Sequence, residues 1–361
     1  MQRKAISIIV ALLLLVAASA CQKTNPQNSA PVAGIAQNSC DRACLEGYVD
    51  RYMDAMLAHE VSANLFGKDC IFTENGVKLP LGNEGLWASM VGKGTYKFYI
   101  PDTETQQIAF LGTAREESNK EPAGDPVALA LRLKISNGLI TEAEQLVIRA
   151  DSGMGTARPP AAVSIEKLGK PHPVYSEEIP PADRPSREEL ITVANKYFTG
   201  MQKNDGKGDY PFTDDCDRIE NGMQATNVPV PPGEKRPDPK TSLSYSGSWS
   251  CKEQFESGLI HFVSLIRDRR FVAVDRERGI VFAFGFFDHG AGKTRHFKAP
   301  DGRDVVAGPV APWTWQIAEL FKIEKGKIRR IEAILQRCPY GMNSGWSTYE
   351  QGMSDQIQIV K

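Results

Sequence analysis

Ala130–Arg149 reads ALRLKISNGLITEAEQLVIR, and Ala318–Arg337 reads AELFKIEKGKIRRIEAILQR. Without a gap, seven of these twenty positions are identical, among them Lys134/Lys322, Gly138/Gly326, Glu144/Glu332 and Arg149/Arg337. In both, apolar residues alternate along a run, meet Asn137-Gly138 or Lys325-Gly326, and resume alternating, which predicts a β-hairpin. Upstream, Phe72-Thr-Glu-Asn-Gly76 answers Arg218-Ile-Glu-Asn-Gly222, with Cys70 and Cys216 two residues before each. Earlier still, YVDRYMDAM at 48–56 answers VANKYFTGM at 193–201, aligning Tyr52 with Tyr197. Three matches in one order mark an internal repeat of a single domain.

The repeat sets the boundaries: copy one at 40–169, copy two at 188–361, and between them a stiff linker, 170–187, with prolines at 171, 173, 180, 181 and 185. Each copy opens on an amphipathic helix, striped by Leu45, Val49, Tyr52, Met53 and Met56 or by Leu190, Ala194, Tyr197, Phe198 and Met201. Ser186 followed by Glu188 and Glu189 supplies a helix cap. Strands are expected at Tyr96–Ile100, Gln107–Ala114, Val127–Ile135 and Ile140–Ile148, and in copy two at Phe271–Val274, Ile280–Phe287, Trp315–Ile323 and Ile328–Gln336. A helix and then an antiparallel meander predict an α+β fold with helices packed on a curved sheet.

Composition narrows the classes of function. The 361 residues carry 43 Lys+Arg against 44 Asp+Glu, with no basic run, so nucleic acid has no electrostatic attraction to the chain. Residues 1–21 read as a secretory signal: Arg3 and Lys4, an apolar run from Ile6 to Ala18 too short to span a bilayer, then Ala18-Ser19-Ala20. Cys21 follows directly and resembles the acylated cysteine of a bacterial lipobox. That resemblance implies an exported, periplasmic lipoprotein held to the outer membrane by its lipid alone, with 22–39 as a flexible tether. Beyond Cys21 the six cysteines in an exported chain point to disulfides. Cys216–Cys251, flanking a Pro-rich insertion, is the favoured pair; Cys40, Cys44, Cys70 and Cys338 leave three pairings open. No C-x2-C pair supports a metal.

The segments CDRACLEGYVDRYMDAM, FTENG, LPLG, GTYKFYIPD and IAFLG in copy one resemble an exported family of the SnoaL-like, or nuclear transport factor 2-like, superfamily. The resemblance spans most of 40–160 and, more loosely, 186–345. It implies two tandem cone-shaped α+β barrels, each cone a pocket for a hydrophobic small molecule, and an activity among cofactor-free isomerases, dehydratases and lyases. Some of these lyases release formaldehyde from lignin-derived diaryl compounds. A non-catalytic binding or scaffold module is the rival, since fold alone does not choose.

Strand alternation selects the candidate residues. Trp313, Trp315, Ile317, Glu319, Phe321 and Ile323 share one face, placing Glu319 among aromatic and aliphatic neighbours, where burial raises a carboxyl pKa toward acid–base use. The matching face of copy one, Val127, Leu129, Leu131, Leu133 and Ile135, has no polar group, so copy two is expected to hold the working pocket. Asp288-His289 ends an aromatic strand, offering a proton shuttle. Tyr197 offers a hydroxyl to a developing oxyanion, and Glu332 is a further carboxyl, although its repetition as Glu144 favours a structural partner. Trp313, Trp315, Phe284, Phe286 and Tyr52 are candidates to stack an aromatic ligand. Gly290-Ala-Gly-Lys-Thr294 lacks the first glycine of a phosphate loop, and no dinucleotide fingerprint occurs, so no cofactor is expected. Pairing of two molecules, or of the two copies as an internal pseudo-dimer, is the expected assembly.

Overall fold

The structure, a computed structural model, describes residues 39–150 and 159–358. The signal segment, Cys21 and all but the last residue of the tether lie outside them. Copy one runs α1 (Arg42–Leu57), β1 (Phe66–Glu74), β2 (Val77–Lys78), α2 (Leu86–Ser89), β3 (Met90–Asp102), β4 (Gln107–Glu116), β5 (Asp125–Ser136), β6 (Leu139–Ile148) and α3 (Ala161–Lys167). Copy two runs α4 (Arg187–Lys203), β7 (Phe212–Glu220), β8 (Met223–Gln224), α5 (Cys251–Glu256), β9 (Leu265–Asp275), β10 (Ile280–His289), β11 (His296–Lys298), β12 (Asp304–Val306), β13 (Trp313–Glu324), β14 (Lys327–Cys338), α6 (Tyr349–Gly352) and β15 (Ile357–Gln358).

The expectation of two closed α+β cones is overturned. The protein is mostly β, with six α-helices and two large open mixed sheets among the described residues. One sheet has six strands, ordered β2-β1-β6-β5-β4-β3; the other has seven, ordered β15-β9-β10-β13-β14-β7-β8. The end strands of each sheet do not meet. In each, one strand is parallel to the last hairpin, β1 beside β6 and β7 beside β14, and β15 adds in parallel to β9.

The physical reason lies in burial on both faces. All ten residues of β10 and the first eight of β4 are buried, rather than alternate ones. One face of each sheet packs on its helix: Leu45, Tyr52 and Met56 of α1 against Phe110, Leu129 and Leu131, and Tyr197, Phe198 and Met201 of α4 against Phe287, Ile317 and Phe321. The opposite faces pack on each other through Tyr96, Phe98, Leu111, Ala130, Phe282, Phe284 and Leu320. A sheet covered on both sides gains its burial without closing into a barrel.

Across that layer Arg270 of β9 donates two bonds of 2.7 Å to the two carboxylate oxygens of Glu144 on β6, both side chains 4% exposed. Such a bidentate pair fixes orientation as well as contact. The repeated Asn-Gly dipeptides close matching turns. Asn75 and Asn221 sit at φ 52° and 50°, followed by Gly76 and Gly222 at 78° and 77°. Each Asn exchanges two bonds with the backbone of the last hairpin strand, Asn75 with Val147 and Asn221 with Leu335. At Gly222 a side chain is excluded, since a Cβ would lie 2.4 Å from the Ile165 nitrogen.

Candidate functional site

Copy two holds a partly open cavity of about 610 Å3 between α4, β7, β10, β13, β14 and the insertion 225–250, with Pro159 at its edge. That volume suits a small organic ligand. Its walls are mainly apolar, from Met201, Ile260, Phe287, Trp315, Ile317 and Leu335. Polar groups gather from three elements: Tyr197 of α4, Arg218 and Glu220 of β7, and Glu319 of β13, with Tyr245 from the insertion. Alternation along β13 puts Trp315, Ile317 and Glu319 on the cavity face, and alternation along β7 does the same for Arg218 and Glu220.

Glu319 is 2% exposed and its Oε2 has no hydrogen-bond partner. Burial pushes its carboxyl up to about 8; the neighbouring Glu220 adds to this, while Arg218 and the Tyr197 hydroxyl oppose it. Arg218 is buried too. Its Nη1 donates to the Tyr197 hydroxyl at 3.1 Å, its Nη2 donates to the Tyr245 hydroxyl, and its Nε lies 3.2 Å from Glu220 Oε1. Burial raises the Tyr197 and Tyr245 hydroxyls above the ordinary phenol value, so both keep their protons at neutral pH. The chemical content is a protonated acid with a bare oxygen, beside a cation whose two phenol partners retain donor hydrogens.

The insertion that delivers Tyr245 is fastened rather than loose. A disulfide joins Cys216 of β7 to Cys251 at the start of α5. Val228 and Asn227 donate backbone bonds to Gly247 and Trp249, and the Trp249 indole donates to the Pro237 carbonyl at 2.8 Å. A second disulfide joins Cys40 to Cys44, and Cys70 and Cys338 are thiols.

Of the residues singled out from sequence, Glu319, Tyr197 and Trp315 meet in this cavity, and the others lie elsewhere. His289 stands behind the wall, stacked on Trp313 at 3.9 Å and on Phe262 at 5.9 Å. Its Nδ1 is 2.9 Å from the Phe287 carbonyl, and burial lowers its pKa to about 4, so the ring is neutral near pH 7. Asp288 faces the other way and is held by Arg267 and by Thr314. Phe286 lies under the Arg267 guanidinium, and Phe284 packs between the sheets. Glu332 also faces that layer, accepting from Arg330 Nε at 2.9 Å. Tyr52 is in the core of copy one, donating to Gln145 and accepting from the Trp87 indole. Cys21 lies outside the described residues.

Sequence reading missed Arg218, Glu220, Tyr245 and Phe287. Arg218 carried a signal: it stands in RIENG where copy one has Phe72 in FTENG. Phe287 has the opposite alternation from Phe284 and Phe286, which β10 turns toward Arg267 and the inter-sheet layer. Tyr245 lies in an insertion without a counterpart and carried none.

Residues 183–335 match the sequence model of a family described as "Domain of unknown function (DUF8021)", a stretch that includes every polar residue of the cavity named above. A comparison with curated proteins found no match. Among solved structures, one match is a "Crystal structure of a de novo designed protein with curved beta-sheet", with 16% identity over 42% of this chain and 88% of that one and a TM-score of 0.23.

Proposed function

We propose that copy two is a cofactor-independent isomerase or lyase that moves protons on a hydrophobic, aromatic small molecule, above all one bearing a carbonyl group. The observation that supports it is the bare, buried Oε2 of Glu319 in the wall of the cavity. In its ionised form Glu319 takes a proton from the carbon next to the carbonyl. The electron pair passes to the carbonyl oxygen, where the Tyr197 hydroxyl and the Arg218 charge stabilise it. Glu319 then returns the proton to the same or a conjugated carbon, completing an isomerisation, or the electrons expel a leaving group, completing an elimination. His289 has no part, because its ring lies behind Trp315 and Phe262. The narrowest form of the proposal is a different step on a lignin-derived diaryl diol: Glu319 takes the hydroxymethyl O–H proton, the carbon–carbon bond breaks to free formaldehyde, its electron pair forms the alkene, and the benzylic hydroxyl leaves as water with the proton that Glu319 returns. The two disulfides support an exported chain in an oxidising compartment, and lipid attachment at Cys21 belongs to the same proposal.

The test incubates the chelator-treated protein in D2O with aromatic ketones, enones and diaryl diols, following deuterium uptake and formaldehyde by mass spectrometry. Exchange is expected in the wild type and a loss of about 100-fold or more in Glu319→Gln. Below the Glu319 pKa of about 8 the rate climbs with pH as the base ionises, and it levels above. Ligand binding without exchange leaves a binding module; exchange that survives Glu319→Gln removes Glu319 as the base.

A further inference from the structure

Resting on the reading of this cavity as a ligand site, we propose that it takes uncharged carbonyl compounds and that Glu220 is the residue that turns away their carboxylate counterparts. Among the described residues lining the cavity, Arg218 is the one cation, and Glu220 and Glu319 are the two carboxyl groups. Arg218 and Glu220 stand two apart on the same face of β7, with Nε and Oε1 3.2 Å from each other, so the cation's charge is paired although its Nε donates no hydrogen bond. Glu319 is kept protonated at neutral pH by burial. The polar end therefore has a formal charge of zero before any ligand enters.

A ligand carboxylate changes that balance to minus one beside the buried Arg218 and Glu319. It competes with Glu220 for Arg218 and is repelled by it, a loss that a desolvated anion does not recover without a new partner. A carbonyl brings no such charge, and the hydrogens present suit it. Arg218 occupies the Tyr197 and Tyr245 oxygens as acceptors, and Tyr197 turns its own hydrogen to Glu319, which leaves the O–H groups of Tyr245 and of protonated Glu319 as donors. An acceptor oxygen without charge is the complement of that set. Copy one uses its matching carboxylate otherwise: Glu74 accepts from the Leu86 nitrogen at 2.7 Å and from Arg149.

The experiment measures binding by the full chain, at pH 7, of matched pairs: 4-phenylbutan-2-one against 3-phenylpropanoate, and 2-acetylnaphthalene against 2-naphthoate. The wild type is expected to bind each ketone at least about tenfold more tightly than its carboxylate, with thermal shifts in the same order. Glu220→Gln keeps the shape and removes the charge; it is expected to raise carboxylate affinity about tenfold relative to the ketones. Glu220→Ser is a second neutral variant if Glu220→Gln does not fold. Equal or preferred binding of carboxylates by the wild type overturns the proposal, as does an unchanged preference in the folded neutral variant or no binding of any probe. The outcomes are separable from those of the catalytic reading. Ketone selectivity without Glu319-dependent exchange defeats that reading alone, and exchange together with carboxylate preference defeats this one alone.

Discussion

The two copies place different side chains at matching positions around their central helix. Copy one has Phe72, Leu131 and Gln145 where copy two has Arg218, Glu319 and Ala333. In copy one Phe72 and Leu131 are core, and Gln145 reaches the Tyr52 hydroxyl while the Trp87 indole closes on the same oxygen. In copy two the shorter Ala333 leaves space, Arg218 takes the Tyr197 hydroxyl instead, and Glu319 faces the opening. A few exchanges thus separate a filled core from a polar-ended cavity, while the helix, the hairpin and the Asn-Gly turn stay the same. Packing stabilises copy one; copy two gives up part of that packing for a cavity with a polar end.

The comparison can be broken most forcefully by Leu131→Glu. Leu131 is fully buried in the copy-one core, so a carboxyl placed there loses its water and a loss of about 4 kcal/mol or more is expected by denaturant unfolding. A loss under about 1 kcal/mol means that copy one already tolerates a cavity-like environment. Next comes the clasp that only copy two possesses. Cys216→Ala/Cys251→Ala, which opens the loop around the insertion, is expected to cost about 3–4 kcal/mol in the chain-entropy picture and to weaken ligand binding by freeing Tyr245. Binding unaffected by that double variant means the insertion does not shape the pocket.

Glu319→Leu, which installs the copy-one residue, sharpens the contrast from the other side. Folded Glu319 keeps its proton to about pH 8, whereas its ordinary value is 4.5. Between those values the folded state binds more protons than the unfolded chain, so this group lowers stability as pH rises from 4.5 toward 8. The variant is expected to gain on the wild type by about 1.4 kcal/mol for each pH unit between 4.5 and 8 and to be nearly neutral at pH 4, read from chemical melts across that range. A gain independent of pH assigns the effect to packing instead. The smallest expected difference is between Asn75→Ala and Asn221→Ala. Each removes two backbone bonds and a left-handed residue, so each costs about 2 kcal/mol, and the two agree within about 0.5 kcal/mol. Unequal costs mean that the shared turns do different work in the two copies.

Much of this contrast was legible in the sequence, because strand alternation is a local property. The face of Trp313–Ile323 marked Glu319 as a carboxyl among apolar neighbours, and the apolar face of Val127–Ile135 marked copy one as filled. The Asn137-Gly138 and Lys325-Gly326 hairpins follow from residues that accept positive φ, 52° and 76° in one copy and 48° and 74° in the other. Sheet closure was not legible, since it depends on what covers the far face, and here the other copy does. His289 was misleading because a strand end looks like a rim from sequence, whereas Trp313 and Phe262 cover this one. Arg218 was visible only by comparing FTENG with RIENG position by position. Tyr245 depends on how a long insertion folds back, which no local pattern encodes.

The pairing of Glu144 with Arg270 has a consequence for the chain's modularity. Each half contributes one charge to a pair out of reach of solvent, together with one apolar sheet face. A half produced alone therefore displays a broad greasy surface in which Glu144 keeps only Arg132 at 3.9 Å, or Arg270 only Asp268 at 3.4 Å, and self-association or proteolysis is its expected fate. The duplication is thereby locked: neither half can be discarded.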